Sequence, residues 1–139
     1  MPKFGKDSKQ KLASAHPELQ RLFHEVIKHW DCKVTDGHRS VEEQQKLYAQ
    51  GRTAPGPVVT QIDGVNKKSM HNHLPSLAVD VAPWPIAWND TERFYAFGGF
   101  VCGMAAALGI SIRWGGDWDG DRDLRDQRLF DLPHFELKQ

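Results

Sequence analysis

Three stretches of the 139-residue chain combine side chains that bind metal ions or move protons. The first is Ser69-Met70-His71-Asn72-His73, followed by Asp80 inside the apolar run Leu77 to Ala82. The second is Asp131-Leu132-Pro133-His134-Phe135-Glu136, and the third is Gly37-His38-Arg39-Ser40. Asp80 carries the most information. A carboxylate within an apolar strand loses its hydration, a large cost unless it is paired or bound to a cation. A place on the strand's exposed face would also spare it that cost. Two imidazoles just before it, and a D-x-x-H pair late in the chain, point to a metal. Two histidines and one carboxylate leave the fourth tetrahedral position open, as in a catalytic zinc site. Of the seven histidines, His16, His24 and His29 fall on the first long helical segment and need no special role. There is no HExxH, which excludes an ordinary zincin.

The elements that must position these residues follow from periodicity. Leu19, Leu22, Phe23, Val26, Ile27 and Trp30 share one face of a helix predicted from about Pro17 to Trp30. Cys32 to Thr35 reads as a short strand. Ser40-Val41-Glu42-Glu43 is a capping box that starts a helix ending near Gly51. Arg52 to Lys68 has no period and forms a long loop, a length often tied to function. Leu77 to Ala82 is a buried strand ended by Pro83 and Pro85. Asn89 or Asp90 caps a helix through Phe94, Phe97, Val101, Met104 and Leu108, with Gly109 just past its end. Ile110 to Trp114 and His134 to Leu137 are the remaining strands, separated by an acidic loop from Gly115 to about Arg128. Connections of such unlike length predict an α+β fold, a small and mainly antiparallel sheet packed with helices.

The size suits one domain over residues 1–139. Hydrophobic residues make up 40% and charged residues 26%, a globular composition. Lys+Arg and Asp+Glu are 18 each, so the chain lacks the net basic field that nucleic acid or an anionic membrane surface requires. No apolar run approaches membrane-spanning length. The lysines of MPKFGKDSKQ are not followed by an apolar segment, so no Sec-type signal peptide is expected. Cys32 and Cys102 lie outside any CxxC motif and are expected to be free, buried thiols.

Taken together, Gly37-x-Arg39-Ser40 with Gln44, Ser69-x-His71, Ala78-x-Asp80 and Asp131-x-x-His134 resemble a known group of zinc peptidases. The group contains VanY-type D-Ala-D-Ala carboxypeptidases and the L-alanyl-D-glutamate endopeptidases used as phage endolysins, and shares its fold with the hedgehog signalling domain. Trp114-Gly115-Gly116-Asp117-Trp118 and Pro133-His134-Phe135-Glu136-Leu137 resemble the phage enzymes, and the likeness runs from about Asp36 to Leu137. It implies a fold of the hedgehog/DD-peptidase type and a zinc held by His71, Asp80 and His134. It also implies Asp131 as general base and Arg39 as stabiliser of the developing oxyanion. Gln44, Ser69 and Glu136 are candidates for contacting substrate or supporting these residues. One departure concerns the first ligand. The group has seven steps from histidine to aspartate; His73 to Asp80 keeps that number, whereas His71 to Asp80 is nine. His71 is favoured because Ser69-x-His71 keeps its own spacing and Pro75-Ser76 can absorb two extra residues.

Asp117, Asp119, Asp121 and Asp123 alternate along the acidic loop like calcium ligands, but Arg122 and Arg128 stand where an EF-hand has glycine and glutamate. The loop is therefore read as solvated and partly neutralised by Arg122, Arg125 and Arg128, with calcium a minor alternative. The leading functional expectation is an endolysin-type endopeptidase cutting the L-Ala–D-Glu bond of peptidoglycan. It would be made in the host cytoplasm, delivered by a holin to the wall in the periplasm, and act as a monomer. A D-Ala-D-Ala carboxypeptidase or dipeptidase is the alternative within the same chemistry. A non-catalytic, zinc-stabilised binding module is the alternative outside it. Zinc needs neutral imidazoles, so activity is expected to fall below roughly pH 6.

Overall fold

Four short segments, two of alternating and two of more continuously buried character, build one antiparallel sheet. In the computed structural model, which describes residues 2–127 and 130–138, the strands are β1 (Cys32–Asp36), β2 (Ala78–Pro83), β3 (Ile112–Gly115) and β4 (Asp131–Leu137). Their order across the sheet is β1-β2-β4-β3. Four helices accompany them: α1 (Lys6–Ala13), α2 (Pro17–Val26), α3 (Val41–Ala49) and α4 (Thr91–Leu108). The expected α+β class, with a small antiparallel sheet, is what forms.

Register sorts the two faces. Val34 pairs with Val81, Val79 with Phe135, and Phe135 with Trp114, so these apolar side chains share a face. That face packs on α2 and α4, where Leu22, Phe23, Val26, Phe97 and Val101 are buried. Phe23 and Phe97 stand edge-on to Phe135 at 5.4 and 6.2 Å between ring centroids. Each fully buried side chain of this size contributes about 1.5–3 kcal/mol relative to exposure. The other face carries Asp80 opposite His134, and Glu136 opposite Arg113.

Two irregularities break this alternation. Between Val34 and Asp36, two steps of β1 oppose one step of β2, and this bulge brings Asp36 opposite Asp80. A second shift separates the pairs Trp114–Phe135 and Gly115–Asp131. In a regular strand, residues three apart point to opposite faces. The irregularity at Pro133, which has no N–H to give to a ladder, sets Asp131 on the same side as His134.

Some boundaries differ from expectation. β4 begins at Asp131 rather than His134. Helix α2 ends at Val26, and the chain continues in turns; the Trp30 N–H donates to the Val26 carbonyl at 2.9 Å and keeps its ring stacked on Phe100. His16 is therefore the N-cap of α2 rather than part of it, and His29 lies beyond its end. Helix α1 has no sequence signal because it buries only Ser8 and Leu12. Its role is to cover the edge of β1, where the Val34 N–H donates to Ser8 Oγ at 3.1 Å. The capping box at Ser40 is present in both directions, Asp90 caps α4, and α4 ends at Gly109. Both cysteines are free; Cys32 is buried and Cys102 half-buried. Among the described residues, no helix is long and apolar enough to cross a membrane.

Helix α4 approaches the sheet closely at Gly98, where an added Cβ would lie 2.0 Å from Cζ2 of Trp114. That ring cannot swing away freely, because its Nε1–H donates to the Leu132 carbonyl at 2.8 Å. Gly98→Ala should therefore lower stability by about 1–3 kcal/mol through overpacking, read as a fall of several degrees in Tm by circular dichroism. An unchanged Tm would show that the α4–Trp114 contact yields without cost.

Candidate active site

The polar face of the sheet forms the floor of a cleft of about 610 Å³, with the loop before Ser69 as one wall and Trp118 and Phe130 on the other. On that floor, ligand atoms of His71, Asp80 and His134 lie within 4.8 Å of one another. His71 Nε2 is 3.2 Å and His134 Nδ1 is 3.3 Å from Asp80 Oδ1. His73, the competing candidate, is exposed at the end of the turn and stands outside this cluster.

Local structure explains why His71 is the one turned inward. Ser69 caps a short 3-10 turn, Met70–Asn72: its Oγ accepts from the His71 N–H, while Asn72 Oδ1 accepts from the Ser69 N–H. The turn is laced to the segment after β1. The Arg39 N–H donates to the His71 carbonyl at 2.8 Å, and Asn72 Nδ2 donates to the Arg39 carbonyl at 2.9 Å. Gly37 completes the lacing. Its carbonyl lies 2.7 Å from His71 Nδ1, and its own Cα is so close to α1 that a Cβ would meet the Lys11 carbonyl oxygen at 2.2 Å.

These partners determine both tautomers. A carbonyl only accepts, so His71 Nδ1 carries the hydrogen and Nε2 presents a lone pair. Glu136 Oε1 lies 2.8 Å from His134 Nε2, so there Nε2–H donates and Nδ1 is the free nitrogen. Two lone pairs thus converge on the Asp80 carboxylate, an arrangement that repels itself unless a cation sits among them. For bonds of 2.0–2.1 Å, a tetrahedral site has ligand–ligand edges of about 3.3 Å, which the observed 3.2 and 3.3 Å match. The cluster fits a small tetrahedral metal ion.

Without an ion, a proton takes its place. Burial disfavours the Asp80 charge, but hydrogen bonds with His134 and His71 outweigh it and hold the carboxyl well below its usual range. Burial pulls His134 down, yet its bonds to Asp80 and Glu136 and the charges of Asp80 and Asp131 push it up to about 10. Asp131, with Oδ2 3.8 Å from His134 Nδ1, is raised by burial and by the Asp80 charge, against the pull of His134, His71 and Arg39.

Arg39 is more committed than the sequence suggests. Its Nε and one terminal nitrogen both donate to Asp36 Oδ2, its other terminal nitrogen donates to Gln44 Oε1 at 2.8 Å, and Asp80 Oδ2 lies 3.9 Å away. Gln44 is fully buried and also donates to the Ile62 carbonyl at 2.7 Å, which ties the long loop to Arg39. Asp36, and Trp118, whose ring lies 5.5 Å from that of His134, have no site role in the sequence reading, although Trp118 belongs to one of its motifs. Both become visible only through the bulge in β1 and the fold of the acidic loop.

In that loop, carboxylate oxygens of Asp117, Asp119 and Asp121 lie within 4.8 Å of one another, and Asp117 Oδ1 is buried without a hydrogen-bond partner. Asp123 is not in the group; it caps the 3-10 turn Leu124–Asp126 and pairs with Arg125 at 2.9 Å. Arg122 gives Asp117 its backbone N–H rather than the expected side-chain pairing, and Arg128 lies outside the described residues.

Residues 1–138 match the family model described as phage L-alanyl-D-glutamate peptidase. The chain is 30% identical over 143 residues to the L-alanyl-D-glutamate peptidase of Escherichia phage T5, covering 97% of each. It is 34% identical over 115 residues to the peptidoglycan L-alanyl-D-glutamate endopeptidase CwlK of Bacillus subtilis, covering 77% of this chain and 60% of that protein. The fold is similar to the crystal structure of the Serratia marcescens L-Ala D-Glu endopeptidase ChiX, with a TM-score of 0.70, 25% identity and coverage of 98% and 90%.

The raised His134 gives metal binding a pH dependence of its own. In the metal-free protein this imidazole gains stability from its proton, fully below its ordinary 6.5, and loses it as pH rises through about 10. A metal ion needs Nδ1 bare, so binding at pH 7 should expel about one proton, and affinity should rise about tenfold per unit up to pH 10. Calorimetric zinc titrations in two buffers of different ionisation heat count that proton. A count of zero would show His134 already neutral.

Proposed function

The chain belongs to the phage L-alanyl-D-glutamate peptidase family, and we propose that it is a zinc-dependent endopeptidase that hydrolyses the L-alanyl–D-glutamate bond of peptidoglycan stem peptides. The observation that carries the zinc reading is the convergence of the His71, His134 and Asp80 donor atoms on the floor of an open cleft beside Asp131. Two imidazoles and one carboxylate suit zinc and leave a position for water. Zinc bound by these three residues supplies a water acidified to a pKa of ~7 and a Lewis acid for the scissile carbonyl.

The remaining work falls to the chain itself. Asp131 takes the proton of the attacking water and hands it to the departing amine of D-glutamate; its upward shift brings its basicity closer to that task. Arg39 faces the cleft with the donors that Asp36 and Gln44 leave free and offers them to the oxyanion developing on the carbonyl. Gln44, Ser69 and Glu136 are positioning residues: Gln44 holds Arg39, Ser69 holds the turn of His71, and Glu136 holds the His134 tautomer. A holin delivers the monomeric enzyme from the host cytoplasm to the wall.

Purified peptidoglycan treated with the zinc-loaded protein should acquire new amino-terminal D-glutamate, identified by mass spectrometry. Release of terminal D-alanine instead would favour a carboxypeptidase, and no new termini a binding module. Asp131→Asn should abolish the product while retaining zinc. After dialysis, His71→Ala should have lost zinc and activity, and His73→Ala should keep most of both. The reverse result for the two histidines would assign the ligand to the seven-step spacing.

A further inference from the structure

Arg113 was assigned no role from the sequence, and register places it on the floor of the cleft. It pairs with Glu136 across β3 and β4, on the face that carries His134 and Asp80. Directly opposed residues of neighbouring strands have Cβ atoms ~5 Å apart and diagonal ones ~7–8 Å, so a long side chain here comes within one amino-acid length of the cluster. Its guanidinium is poorly engaged. Among the described residues its carboxylate contact is Nη1 to Glu136 Oε2 at 3.9 Å, too long for a hydrogen bond, and the side chain is 46% exposed.

The substrate reading above gives this arrangement a purpose. A glutamate following the scissile bond has two carboxyl groups, and at most one continues the chain in amide linkage. The other is a free carboxylate within a few bonds of the leaving nitrogen. Asp131 and Glu136 add negative charge beside the metal ligands and would repel it. A cation must receive it. Among the described residues, four cationic side chains line the cleft: Arg39, Lys67, Lys68 and Arg113. Arg39 is held by Asp36 and Gln44, and the donors they leave free are assigned to the oxyanion. Lys67 and Lys68 are exposed on the far wall, on a loop rather than a strand. Arg113 combines a strand position with a planar fork that matches a carboxylate in bidentate fashion.

We propose that Arg113 binds the free carboxylate of the glutamate on the leaving side of the scissile bond, and thereby sets the preference for an acidic residue there. The inference rests on the endopeptidase reading. Two synthetic peptides test it. Each contains L-alanyl-D-glutamate continued through the γ-carboxyl; one has the α-carboxylate free and the other has it as the carboxamide. The zinc-loaded parent should prefer the carboxylate peptide roughly tenfold or more in kcat/KM, mainly through KM. Arg113→Gln should reduce that ratio to within about twofold, and Arg113→Lys should restore part of it.

Zinc content is measured for each variant. Equal losses on both peptides, with less zinc retained, would mean that Arg113 only steadies Glu136 and His134, and would overturn the proposal. A preference that survives in Arg113→Gln would also overturn it and assign the carboxylate to Lys67 or Lys68. A parent that cleaves both peptides equally well leaves the endopeptidase reading standing and removes this inference alone. A parent that cleaves neither removes both.

Discussion

His71 Nε2, His134 Nδ1 and Asp80 Oδ1 are electron-rich atoms held 3.2 and 3.3 Å apart along two edges, and almost everything around them serves to keep them there. Left alone, such atoms would separate, or one imidazole would take up a proton, as the upward shift of His134 indicates. Hydrogen bonds from the far side of each ring prevent rotation: the Gly37 carbonyl for His71 and the Glu136 carboxylate for His134. The site is thus shaped before any ion arrives, and little reorganisation is needed when one does.

Sheet geometry is bent to the same end. A regular antiparallel ladder would carry Asp36 to the core side and Asp131 away from His134. One bulge in β1 and one irregularity at Pro133 reverse both, so Asp36 reaches Arg39 and Asp131 reaches the cluster. Bulges of this kind re-aim side chains at a modest cost in ladder hydrogen bonds. The apolar face is untouched by either, since Val79, Phe135 and Trp114 keep their regular pairing.

What could be read from the sequence follows from how local each signal is. The Ser40 capping box, the helix from Asp90 to Gly109 and the apolar strands are written in neighbouring residues, and they formed within a few positions of expectation. Helix α1 was illegible because its two buried residues make no stripe. The side chains that cluster were legible from residue type and motif order. Some of their supports were not: Gly37 acts through its backbone, and Asp36 depends on which residues face one another across strands. The Ser69-x-His71 spacing favours His71 over His73, and the turn capped by Ser69 brings only His71 into the cluster.

The alternation of β2 around Asp80, and of β4 from His134 onward, has a consequence for how such a chain can change in length. Core and cluster residues occupy odd and even positions of the same strands, so a single-residue insertion or deletion within a strand exchanges the two. Segments between the strands carry no such parity. Residues 73–76, between the His71 turn and β2, are one of them. An insertion there leaves both faces intact, whereas one extra residue between Ala78 and Asp80 would put an apolar side chain where the carboxylate stands.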